Sequence, residues 1–137
     1  MSTRTRKIRR ILELQDLLHR ASEWKLAGIR AEIAENHRTR DTLINTLSDE
    51  VLGPLLVDVT ARRLRTVALV HGQLTRAEDV QVAQVREEAR RLKQVERMAE
   101  TVRRADDQAR EKADLHTLLD GIAAKPAPTV DASLPPA

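Results

Sequence analysis

A chain of 137 residues has room for one domain, and this one is built almost without aromatic side chains. Trp24 stands alone, with no Phe and no Tyr, so the usual large contributors to a compact core are missing. With 33% charged residues and an abundance of Ala, Leu, Arg, Glu and Val, the composition fits long helices packed along a narrow seam. The 24 basic and 21 acidic residues nearly balance at a net charge of +3, as on a solvated helix surface. The absence of cysteine removes disulfides, thiolate catalysis and thiolate metal sites together.

The first ten residues are basic, but Ile11 to Leu18 carries Glu13, Gln15 and Asp16 and is no signal-peptide core. No run approaches the roughly 20 apolar residues of a membrane span. The expectation is a soluble, cytoplasmic protein. Ile8, Ile11, Leu14, Leu18, Ala21, Leu26, Ile29, Ile33, Leu43, Leu47 and Val51 recur mostly in steps of three and four, which stacks them on one helix face. This spacing predicts a first helix over about residues 4–52, roughly 70 Å long. Gly53-Pro54 is the strong break, since glycine can end a helix in the left-handed conformation and proline cannot continue one. The predicted turn is therefore 53–54, with Pro54 opening the next helix.

The second helix is predicted over about 55–123. Its apolar positions are Val59, Val67, Val70, Leu74, Ala77, Val80, Val85, Leu92, Val95, Ala99, Val102, Ala105, Ala109 and Ala113, then Leu115, Leu118, Leu119 and Ile122. Gly72 weakens it by about 1 kcal/mol relative to Ala without stopping it. From Lys125 to Ala137 four prolines exclude a helix, and a disordered extension is expected. The fold class that follows is all-α: a long two-helix antiparallel coiled-coil hairpin over 1–124 with a tail over 125–137. Helices that separate and pair as a parallel dimer are the alternative.

In a tight antiparallel hairpin turning at Gly53-Pro54, facing residues have numbers summing to roughly 107. That register sets Leu43 against Leu64, Ile33 against Leu74, Ile29 beside Ala77, Leu18 beside Ala89, Ile11 beside Val95 and Ile8 against Ala99. Trp24 falls opposite Ala83, the large-to-small match that knobs-into-holes packing favours.

The second helix is longer than the first, so beyond about Val102 nothing in the chain remains to cover it. Leu115, Leu118, Leu119 and Ile122 sit there at i, i+3, i+4 and i+7, one continuous stripe. Burying each such side chain is worth roughly 1.5–3 kcal/mol, which points to a partner surface, with self-association into a homodimer as the alternative. The same pole gathers Arg4, Arg6, Lys7, Arg9 and Arg10 near Arg97, Arg103 and Arg104, and an acidic surface docking there would relieve their repulsion. The candidate partner-binding residues are thus the four stripe residues with Arg6, Arg9, Arg10, Arg97, Arg103 and Arg104.

His19, His37 and His116 each have a carboxylate four residues on, at Glu23, Asp41 and Asp120, a spacing shared by metal ligands and ordinary surface pairs. The register also brings His71 near His37. The expectation is nonetheless no metal, no cofactor and no small-molecule substrate. The chain has no glycine-rich phosphate loop and no nucleophile set among histidine and acid. A two-helix hairpin also has no cleft to exclude water. Catalysis is not expected. A basic helix could enter a DNA groove, but Arg90-Arg91-Leu92-Lys93 is flanked by Glu87, Glu88 and Glu96, so nucleic acid stays a minor alternative.

Length, hairpin shape and a longer second helix resemble the FliJ family of flagellar export proteins and their YscO-type relatives in type III secretion. The segment Arg91-Leu92-Lys93-Gln94-Val95-Glu96-Arg97-Met98 is similar to the family's Lys-x-x-Glu-(Arg/Lys)-Leu stretch. Arg110-Glu111-Lys112 resembles its later charged run, and Ile8 to Ala21 its opening turns. Where the family often ends on an Asp-Glu pair, this chain reads Leu118-Leu119-Asp120-Gly121. The resemblance implies a cytoplasmic stalk whose free-end pole inserts into a hexameric export ATPase and which contacts the export gate or export chaperones.

Overall fold

The structure, a computed structural model, describes residues 2–124; the predicted tail over 125–137 lies outside them. Two helices make up the fold, α1 (Thr3–Leu47, 45 residues) and α2 (Leu52–Ala124, 73 residues). They lie antiparallel as a single hairpin, roughly 70 Å and 110 Å long. Ser2 caps α1 in extended conformation, its hydroxyl accepting from the Thr5 N–H at 3.1 Å, which satisfies one of the free N–H groups of the first turn.

The corner lies at 48–51, not at the predicted 53–54. Ser48 ends α1, its N–H donating to the Ile44 carbonyl at 3.1 Å. The Asp49 carboxylate then accepts from the N–H groups of Val51 and Leu52 at 2.9 and 2.8 Å, and its carbonyl accepts from Gly53 at 2.9 Å. Asp49 is therefore the organising residue, closing one helix and opening the next, as Asx residues do. Gly53 has no positive φ and is already helical. It is needed because a Cβ there would lie 2.5 Å from the Leu47 carbonyl oxygen. Pro54 follows in the first turn of α2, where no N–H is missed.

The seam alternates in steps of three and four, with one step of seven in each helix. From α1 it takes Ile8, Leu12, Gln15, His19, Ser22, Leu26, Ile29, Ile33, Asn36 and Leu43. From α2 it takes Leu64, Val67, Leu74, Glu78, Gln81, Val85, Glu88, Leu92, Val95, Ala99 and Val102. The predicted register survives: Ser22 with Gln81 and Asn36 with Val67 sum to 103, and His37 with His71 and Arg30 with Glu78 to 108.

The predicted face is wrong in the first third of α1. Ile11, Leu14, Leu18 and Ala21 are exposed, and Leu12, Gln15, His19 and Ser22 occupy the seam instead. Continuity decides this, because a three–four alternation counted back from Leu26 passes through the polar positions, whereas the apolar ones need a step of five. The polar seam residues are satisfied. Gln15 donates to the Glu88 carboxylate, Gln81 donates to the Ser22 carbonyl at 2.9 Å, and the Ser22 hydroxyl donates to the His19 carbonyl at 2.7 Å. Trp24 does not meet Ala83; it is 82% exposed.

Candidate docking surface

Pairing ends in a clasp. Ser2 donates to the Asp106 carboxylate at 2.9 Å and Thr5 donates to the same oxygen, closing α1 against α2 at one level. These donors, Thr5 foremost and then Ser2, hold the Asp106 carboxyl below the usual aspartate value, because hydrogen bonds to the charged form favour it. The last 18 residues of α2, 107–124, continue past this level alone, a tip of roughly 27 Å.

On the tip the four predicted stripe residues, Leu115, Leu118, Leu119 and Ile122, are all exposed, Leu118 by 63%. Their direction differs from expectation. The seam's alternation continues from Asp106 through Ala109, Ala113, His116 and Asp120. The stripe is turned by about 150° from that line, close to the opposite side of the helix. It is thus no stub of seam waiting for a longer α1, but a separate face open to an approach from another side.

The basic residues divide. Arg103 pairs with Glu100 at 2.6 Å and Asp107 at 2.9 Å, and Arg104 with Glu100 at 3.2 Å. The guanidinium of Arg103, then that of Arg104, lowers the Glu100 carboxyl to about 2. These two arginines are engaged within their own helix. Arg6, Arg9, Arg10 and Arg97 are exposed and, among the described residues, contact no carboxylate. Arg97 and Arg4 line a shallow groove floored by Ile8, Ile11, Met98 and Val102.

A second surface escaped the sequence reading. Ile11, Leu14, Leu17, Leu18 and Trp24 are exposed along α1, with Ala21 between them. Its signal in the sequence is the apolar stripe Ile11, Leu14, Leu18 and Ala21, which spacing alone cannot separate from a seam. Nearer the corner, the His37 and His71 rings face each other across the seam with centroids 5.0 Å apart, tilted by 53°. His19 contacts Glu23 at 3.1 Å. Among the described residues no group of three or more His, Cys, Asp or Glu is placed to hold a metal ion, and no helix is long and apolar enough to cross a membrane. Compared with known proteins, the chain matches no protein family, no curated protein and no solved structure.

Proposed function

We propose that this chain is a non-enzymatic coiled-coil adaptor that docks other proteins through its projecting tip. The observation that carries the proposal is the overshoot of α2: 18 residues continue beyond the clasp with Leu115, Leu118, Leu119 and Ile122 in water. An amphipathic helix presenting i, i+3, i+4 and i+7 anchors suits a hydrophobic groove on a partner. Fully burying these side chains would contribute roughly 1.5–3 kcal/mol each before the costs of association. The hairpin behind the tip serves as a rigid spacer, and the free cations Arg6, Arg9, Arg10 and Arg97 favour an acidic rim on the partner.

The partner that best suits this arrangement is a cytoplasmic export ATPase of the type III kind, entered by the free-end pole, with the export gate or its chaperones as further contacts. The support is the resemblance of 91–98 and 110–112 to the FliJ family together with a tip of suitable shape. The test is co-elution of the full chain with a purified hexameric export ATPase, alongside a variant carrying Leu115→Asp, Leu118→Asp and Ile122→Asp. The wild type is expected to co-elute and the variant to elute apart while keeping its helical content. Failure of the wild type to bind sinks the export-stalk assignment; equal binding by both proteins removes the tip from the interface.

A further inference from the structure

An exposed apolar face also lies on α1, apart from the tip, and its pattern is self-complementary. The exposed residues Ile11, Leu14, Leu17, Leu18, Ala21 and Trp24 are symmetric about a point between Leu17 and Leu18. An antiparallel copy centred there sets Ile11 against Trp24, Leu14 against Ala21, and Leu17 against Leu18, each pair occurring twice. The bulkiest side chain meets a β-branched one, and a leucine meets an alanine, with Gly28 continuing the small-residue line and nothing within 4 Å of it.

We infer that this face is a two-fold interface between two copies of the chain, packed α1 against α1 in antiparallel fashion. Two observations favour a second copy. The pattern reads the same in both directions, as an isologous contact requires. It lies about a third of a turn from the seam, so pairing leaves each hairpin intact. In the same register Arg10 falls level with Lys25 of the second copy, a like-charge pair that weakens the contact.

A contact between two helices over roughly 20 Å falls at the low end of stable interface areas. The pair therefore forms reversibly with concentration. Because the copies run oppositely, their two tips point in opposite directions, each running level with about residues 34–51 of the other copy.

Trp24, the sole tryptophan, is a built-in reporter. Sedimentation of the full chain across micromolar concentrations is read together with its emission. The expected result is a rise from monomer to dimer mass in step with a blue shift, and Leu14→Asp should weaken association at least tenfold without loss of helicity. Since the chain has no cysteine, a Leu14→Cys, Ala21→Cys double variant tests the register. It should cross-link into a dimer, whereas either single variant should not. A monomer at every concentration overturns the inference. So does a cross-link through Leu14→Cys alone, which marks parallel pairing, or a dimer abolished by Leu118→Asp and indifferent to Leu14→Asp, which marks pairing through the tips. Each of these outcomes leaves ATPase docking to be judged by its own experiment.

Discussion

Individual side chains fix the corner and the clasp. The hairpin turns where Asp49 accepts two N–H groups, and Gly53 is small because the Leu47 carbonyl crowds it. Gly53→Ala should destabilise the protein by about 1–3 kcal/mol, as overpacking does. Gly28→Ala should stabilise it by up to about 1 kcal/mol, because nothing lies within 4 Å of a Cβ there. Thermal melts of the two variants check the contrast. Of the Gly-Pro pair, proline takes its expected place in the first turn of α2 but glycine adopts no left-handed conformation, and Ser48-Asp49, ordinary capping residues, carry the turn instead.

Acid tests the same scale. Asp49, held down by the N–H groups of Leu52 and then Val51, and Asp106, held down by Thr5 and Ser2, both titrate below the aspartate norm. A depressed folded value stabilises the protein above the unfolded value and is lost as pH falls through the folded one. The corner and the clasp should therefore hold at neutral pH and loosen below pH 4. Glu100 should release Arg103 near pH 2. Circular dichroism with NMR of the Ser2–Thr5 and Asp49–Gly53 amides follows this; loosening that begins at pH 6 contradicts it.

At the scale of the helices, the seam trades apolar burial for polar pairing. With one neighbour each, α1 and α2 keep only Ile8, Leu26, Leu43 and Val102 as buried apolar side chains among the described residues. Between them stand Gln15 with Glu88 and Ser22 with Gln81. Removing one partner of a buried polar pair costs about 1–3 kcal/mol, whereas replacing both with apolar groups is neutral or stabilising. Glu88→Leu alone should lower Tm, and Gln15→Leu with Glu88→Leu should restore or raise it. A double variant melting below the single one would falsify that assignment of the seam. The helices themselves, their order and their register within a few residues were readable from apolar spacing. The phase of the seam over residues 11–24 was not, because there the more apolar face is the outer one. Hydrophobicity alone cannot tell a face buried within the chain from one kept for another molecule.

The whole molecule is a rod with unequal arms. Its extended form follows from the shortage of large side chains to gather into a core, and its asymmetry from where the corner falls. Moving the corner from 53–54 to 48–51 changes neither the clasp nor the overshoot, so the projecting end of α2 was readable in the sequence. The direction of its stripe, set by helical phase relative to the seam, needed the structure. Pairing of the two helices ends at Asp106, and amide hydrogen exchange on the dilute, unpartnered chain tests this most directly. Protection is predicted along 3–47 and 52–106, falling to near the unprotected rate over 107–124. Protection that runs undiminished to Ala124, or that stops well short of the clasp, would contradict it.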